Sequence, residues 1–370
     1  MFKESVSEKI YMTNLSIDTE AIGVALAAGL GTRLRPLTLE KPKPLIPFCG
    51  VEILQIAINK LKASGITDLG VNTHYMSDKV REFVNTELPI KAEDNGKTFL
   101  SVEKNEILGT AGCYPAFNSF RKDRALITAN GDVLSTTDIS ELYKTHKDNG
   151  AVATMAVLDT PHSSGAQIWV DGSDIVHIGN DNGGYTGATP HGFACFQVLE
   201  NDAISLIKED EYQELVPIYQ QLLKENKKVC AYVHKADWFD LGTHDDYFYA
   251  HQFVLNQLSR LDLEVEKDKF GILETLEQKG LDATFVPPGK TVTLKENISV
   301  TGPSFIIGSP VSKSTNDEID IGPNSVIMDG VSFEGNCSIS STIVLPETLV
   351  NNDHENSVLY KKHVLEIAQK

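Results

Sequence analysis

The strongest constraint on this chain lies at residues 22–47, where an apolar run gives way to a glycine-bearing basic loop. Ile22-Gly-Val-Ala-Leu26 reads as a buried strand, since a short apolar run bounded by turn residues fits a strand covered on both faces. Gly29 and Gly31 then allow a tight turn and a close approach of backbone to ligand, with amide N–H groups able to point at phosphate. Arg33, Arg35, Lys41 and Lys43 follow within eleven residues, with Glu40 the only acid among them. The whole chain carries 33 basic and 51 acidic residues, a formal charge of −18. A local excess of cations in so acidic a protein calls for an anionic ligand. The plainer alternative is a turn with a solvated basic face.

Neither common phosphate loop fits. A dinucleotide fingerprint needs a third glycine where Leu34 stands, and no Gly-Lys-Ser/Thr triplet follows. Gly29-Leu-Gly31-Thr32-Arg33-Leu34-Arg35-Pro36-Leu37-Thr38, then Pro42-Lys43-Pro44, instead resembles the sugar-nucleotide pyrophosphorylases, nucleotidyltransferases that act on sugar 1-phosphates. The resemblance implies that Ala27, Ala28, Gly29, Gly31, Thr32 and Arg33 bind nucleotide. It further implies that Arg33 takes the leaving pyrophosphate and Lys43 the attacking or α-phosphate.

Three later segments extend the likeness. Glu103 to Gly112, EKNEILGTAG, is similar to the family's base-binding turn, which makes Leu108, Gly109, Thr110 and Gly112 base contacts. Arg124 to Val133 reads as a strand running into Asn130-Gly131-Asp132, and Trp238-Phe-Asp240-Leu-Gly242-Thr243 matches the family's second carboxylate motif. Asp132 and Asp240 are then the implied Mg²⁺ ligands, in keeping with that ion's demand for oxygen donors, and Asn130 and Gly131 the implied substrate contacts. Taken alone, each carboxylate would pass for a turn residue or a helix cap.

After Asp159 the chain departs from the family pattern. A hairpin-like WVDGSDIVHI is followed by Gly179-Asn180-Asp181-Asn182 where the family has Glu-Lys-Pro, and no lysine stands between Lys147 and Lys208. Asn180 and Gly187 become the substrate-binding candidates by position. This stretch also supports a rival reading, a catalytically silent regulatory or scaffolding homologue. Retention of both carboxylates and both loop cations favours an enzyme.

Strands and helices alternate along the first part. Val51 to Ala63 has the helical period, with Gly65 to end it; Asp68 to Thr73 reads as a strand; and Ser77 to Val84 reads as a helix capped by Ser77 or Asp78. This predicts a Rossmann-like α/β domain with a mostly parallel sheet over residues 21–261, after a leader at 1–20 in which Met12 offers a second start. A linker is expected at 262–283. Residues 284–350 hold short apolar triplets between Gly, Pro and Asn, such as Ile321-Gly-Pro-Asn-Ser-Val326, approximating the hexapeptide period of a left-handed parallel β-helix. A β-helix domain is therefore expected at 284–370, with a strand–helix cap from about Asn356 and a homo-oligomer formed through it. With this domain the resemblance is closest to mannose 1-phosphate guanylyltransferases; uridylyl and thymidylyl transfer stay open. The expected partners are a nucleoside triphosphate and a sugar 1-phosphate.

Composition excludes other classes. The acidity argues against DNA or RNA partners, which need a basic face. No run of eighteen apolar residues predicts a membrane span, and the first twenty residues lack the apolar segment of a signal peptide. Five scattered cysteines, Cys49, Cys113, Cys195, Cys230 and Cys337, show no C-x-x-C pair, so free thiols and a cytoplasmic location are expected.

Overall fold

A computed structural model describes residues 17–88, 96–161, 166–260, 268–294, 297–314 and 316–368. The proposed start at Met12 and the expected domain end at Leu261 lie outside them. Nine strands form the first sheet: β1 (Ala21–Ala27), β2 (Leu69–Thr73), β3 (Thr98–Val102), β4 (Ala125–Asn130), β5 (Ala153–Leu158), β6 (Gln167–Asp171), β7 (Asp174–Gly179), β8 (Thr189–Leu199) and β9 (Val229–His234). Their order is β3-β2-β1-β4-β8-β5-β9-β7-β6.

The expectation of a mostly parallel sheet holds for only half of it. β3, β2, β1 and β4 run parallel, but β8 is antiparallel to both β4 and β5. The β6–β7 hairpin adds further antiparallel pairs, so the sheet is mixed. The cause is that β8 returns from that hairpin directly into the sheet, with no crossover helix to turn it round. The first consequence is functional: Phe193 and Gln197, on this returning strand, reach the ligand cleft.

Helices cover both faces of the sheet. α1 (Ile53–Ala63) buries Leu54, Ala57, Ile58 and Leu61, as the i, i+3, i+4, i+7 period requires. It starts two residues later than the period alone suggests, because Val51–Glu52 pairs with Pro47–Phe48. α2 (Ser77–Glu87) is entered through Met76 in the left-handed region, with no side-chain cap, so neither Ser77 nor Asp78 does the capping. α3 (Ile139–Asn149) is capped by Asp138 and ended by Gly150 at φ 58°. α4 (Leu215–Lys224) and α5 (His244–Leu258) follow. Ile17–Glu20, assigned to the leader, is a helical turn with Ile17 buried in the core.

The stretch expected as a linker carries α6 (Ile272–Gln278). Asp268 accepts hydrogen bonds from the N–H groups of Ile272 and Leu273, both at 2.9 Å, which starts that helix. Ile272 and Leu276 then bury against the core shared by both halves of the molecule. Past it the chain forms a three-faced parallel coil. Ile298–Thr301, Ile319–Ile321 and the start of Cys337–Val344 stack on one face; Ser304–Ile307, Ser325–Ile327 and the end of Cys337–Val344 on the second; Val311–Ser312, Ser332–Phe333 and Leu349–Val350 on the third. The coil ends in an antiparallel pair, His354–Tyr360 with His363–Glu366, rather than the expected strand and helix. The turn between them holds Lys361 at φ 54°, and Val358, Leu359 and Tyr360 are buried, which fixes this tail as strand. Phe305, Ile307, Met328 and Leu345 of the coil share one apolar cluster with Leu34, Leu37 and Ile46 of the basic loop. The coil therefore forms the floor beneath that loop.

Candidate active site

The basic loop leaves the carboxyl end of β1, where ligands of open α/β sheets gather. Gly31 sits at φ 62°, and a Cβ there would stand 2.9 Å from both Lys43 Cβ and Thr38 Cγ2. Only glycine fits this left-handed, crowded point. Thr38 Oγ1 donates to the Gly31 carbonyl at 2.8 Å and closes the loop on itself. Pro42 and Pro44 flank Lys43 and stiffen its short helical turn. The side chain of Lys43 is 7% exposed, and its Nζ donates to Asp132 at 2.7 Å and to Asp240 at 3.4 Å.

The two carboxylates lie 108 positions apart (240 − 132) and meet through a short antiparallel ribbon of Val133–Ser135 with Trp238–Asp240. Asp240 faces Val133, and the N–H of Leu241 donates to the Asp132 carbonyl at 3.1 Å. Arg33 Nη2 reaches Asp240 from the solvent side at 3.3 Å. A Cβ on Gly242 would stand 2.6 Å from that guanidinium, so glycine leaves room for it. Two carboxylates, each about a third exposed, thus converge on one cationic centre. Their hard oxygen donors fit a divalent cation that completes its shell with phosphate and water. Among the described residues no group of three or more His, Cys, Asp or Glu forms a dedicated metal cage.

Lys43 and Asp132 also line a cleft of about 580 Å³. Its lining includes Ala27, Ala28, Gly29, Lys43, Gly109, Thr110, Asn130 and Asp132. These sequence-derived candidates are brought together. Gly31, Thr32 and Arg33 belong to the loop above the cleft, Thr32 and Arg33 being exposed. Gly131 packs under Leu26, whose carbonyl accepts its N–H at 2.8 Å.

Other candidates fall elsewhere. Leu108 and Gly112 are packing residues: the N–H of Leu108 donates to Glu103 at 2.7 Å, and a Cβ on Gly112 would meet the carbonyls of Glu211 and Leu108 at 2.3 and 2.4 Å. Asn180 and Gly187 are exposed on the connection after β7 and do not line the cleft. Lys43 is the one lysine lining it among the described residues.

The structure adds residues that the motifs did not single out. Asn72, buried at the end of β2, accepts from the Ala27 N–H at 2.8 Å and donates to Glu103 at 2.7 Å. A buried asparagine in an otherwise apolar strand needs such partners, and that was its available signal. The cleft wall also holds Gln197, which donates to Tyr114 Oη at 2.9 Å and accepts from Tyr219 Oη at 2.7 Å. Burial pushes both phenols well above their ordinary range, so they stay neutral. Met155, Ile168, Ile178 and Phe193 complete this apolar side.

Residues 22–166 match the family model described as nucleotidyl transferase. The chain is 29% identical over 253 residues to the mannose-1-phosphate guanyltransferase of Debaryomyces hansenii, covering 64% of this chain and 66% of that one. It is 30% identical over 234 residues to the mannose-1-phosphate guanylyltransferase of Mycobacterium tuberculosis, covering 60% and 62%. The chain thus spans slightly less than two thirds of the length of these relatives. A crystal structure from Bacillus anthracis, described as a putative glucose-1-phosphate thymidylyltransferase in complex with a sucrose, shares the fold with a TM-score of 0.54. Identity there is 22%, over 68% of this chain and 99% of that one. The matched segment supplies β1, the basic loop and Asp132, while Asp240 comes from beyond it. Among the described residues no helix is long and apolar enough to cross a membrane.

Proposed function

We propose that this protein joins a sugar 1-phosphate to a nucleoside triphosphate and releases pyrophosphate, with mannose 1-phosphate and GTP as the pair. The observation that carries the reading is the cluster of Lys43, Arg33, Asp132 and Asp240, of which Lys43 and Asp132 line the cleft. Such a transfer asks little covalent chemistry of the protein; in-line positioning and charge neutralisation supply the rate. Lys43, rigid between two prolines, holds the sugar phosphate or the α-phosphate in line for attack. Arg33, more exposed, neutralises charge on the departing pyrophosphate. Asp132 and Asp240 would hold Mg²⁺, which when bound neutralises phosphate oxygens. The choice of GTP and mannose 1-phosphate rests on the relatives' names.

The C-terminal coil advances 21 positions from Ile298 to Ile319 and 18 from Ile319 to Cys337, close to three hexapeptides a turn. This spacing supports a left-handed hand for the coil. The test of function is a matrix of four nucleoside triphosphates against several sugar 1-phosphates with Mg²⁺, read as pyrophosphate release. GTP with mannose 1-phosphate should give the highest kcat/KM. Absence of pyrophosphate from every pair would favour a silent regulatory homologue.

A further inference from the structure

One stretch of the cleft wall is built by two loops that the sequence keeps a hundred residues apart. Residues 211–215 lie on residues 108–112 and are fixed there by several bonds. The N–H of Ala111 donates to the Gln213 carbonyl at 2.9 Å, and the N–H of Gln213 donates to the Leu108 carbonyl at 3.0 Å. A Cβ on Gly109, at φ 77°, would stand 2.5 Å from the Gln213 carbonyl, so glycine permits the contact. Thr110 Oγ1 donates to one oxygen of Glu214 at 2.8 Å and accepts from the Leu215 N–H at 2.8 Å. The Tyr212 hydroxyl donates to the other oxygen of Glu214.

Glu214 and Tyr212 both line the cleft, and Tyr212 is 60% exposed. Phosphate belongs beside the Lys43 and Arg33 cations, and a carboxylate would repel it. A flat aromatic ring beside a fixed carboxylate suits a nucleobase instead, which stacks on the ring and offers its edge to the oxygens. Each Glu214 oxygen already accepts one hydroxyl and keeps lone-pair capacity for one more donor. Guanine alone among the common bases presents two adjacent donors, N1–H and N2–H, on one edge. Uracil and thymine flank a single N–H with two carbonyls, and adenine and cytosine set an acceptor beside the amino group. Those edges would place an acceptor against the carboxylate.

We propose that Glu214 is the residue that selects the nucleobase, accepting N1–H and N2–H of a guanine whose ring lies on Tyr212. This deepens the nucleotidyl-transfer reading and rests on it. The test is equilibrium binding of GTP, ITP and UTP to the full chain with Mg²⁺, for the wild type, Glu214→Gln and Glu214→Asp. ITP keeps N1–H and lacks the 2-amino group. Wild-type protein should bind GTP at least about tenfold more tightly than ITP, because a site built for an N–H rejects the analogue without it. Glu214→Gln sets one acceptor and one donor against two donors, and should bring the two nucleotides within about threefold of each other. Glu214→Asp withdraws the carboxylate by one methylene and should also narrow the ratio. A merely structural Glu214 would weaken GTP and ITP alike and leave the ratio unchanged in both variants, which would overturn the assignment. Wild-type protein that prefers UTP to GTP would refute the guanine reading of the function, and the role of Glu214 with it.

Discussion

Lys43→Met removes the one cation that both carboxylates share while keeping most of the apolar stem. At 2.7 Å the Lys43–Asp132 pair is worth a ceiling of about 6 kcal/mol at an effective dielectric of about 20. Both carboxylates are about a third exposed, so water screens much of this, and the expected loss of stability is about 1–3 kcal/mol. That corresponds to a fall in Tm of about 3–10 °C. Magnesium should restore more stability to the variant than it adds to the wild type, because the two carboxylates then bind the ion without a competing ammonium. Turnover should fall by about 10²–10³-fold, the usual loss when one fixed electrostatic stabiliser is removed. KM for the sugar phosphate should rise as well, since no second lysine lines the cleft among the described residues. Thermal unfolding with and without Mg²⁺, together with steady-state kinetics, measures all four quantities. A variant with unchanged Tm and unchanged turnover would refute the placement of Lys43 between the carboxylates and the phosphates.

Other perturbations test separate parts of the structure. Asp132→Asn and Asp240→Asn should each cut turnover by at least about 10²-fold, with partial recovery at raised Mg²⁺; full activity of both at ordinary Mg²⁺ would dismiss the metal assignment. Gly109→Ala forces a side chain into the left-handed region and against the Gln213 carbonyl, and should cost about 1–3 kcal/mol in denaturant unfolding while raising KM for the nucleotide. His251 accepts from the Cys49 N–H and donates to the Tyr247 carbonyl, and burial lowers its pKa to about 3. Its folded pKa thus lies below the unfolded value of about 6.5, so its contribution to stability is full above pH 6.5 and is lost as pH falls towards 3, by about 1.4 kcal/mol per pH unit. His251→Gln should remove that slope from an acid-unfolding series, and a variant with the wild-type slope would contradict it.

The parts of the site that could be read from sequence are those written in contiguous residues. The loop from Gly29 to Pro44 could be found because its turn, its cations and its prolines follow one another without interruption. Asp132 and Asp240 were recognisable at the ends of their own short strands, yet nothing local says that the ribbon of 133–135 with 238–240 brings them to one lysine. Glu214 and Tyr212 were invisible for the same reason: their segment has no motif, and its role arises only from docking on residues 108–112. Asn180 was chosen by its position in a family pattern, which carries no geometry; in the fold it is exposed and does not line the cleft. The antiparallel β8 escaped because its apolar alternation gives a strand and not a direction. The coil was legible from its Gly- and Asn-punctuated triplets, whereas the terminal strand pair was not, since HENSVLY and HVLE fit helix and strand alike until burial decides.

The most direct measurement of the proposed chemistry follows the α-phosphorus. GTP labelled at the α-phosphate is incubated with mannose 1-phosphate, Mg²⁺ and the full chain, and the products are separated. The label should appear in a nucleotide sugar, with unlabelled pyrophosphate released in equal amount. Label retained in GTP or GDP, or phosphate released in place of pyrophosphate, would contradict attack at the α-phosphorus in the cleft held by Lys43, Asp132 and Asp240.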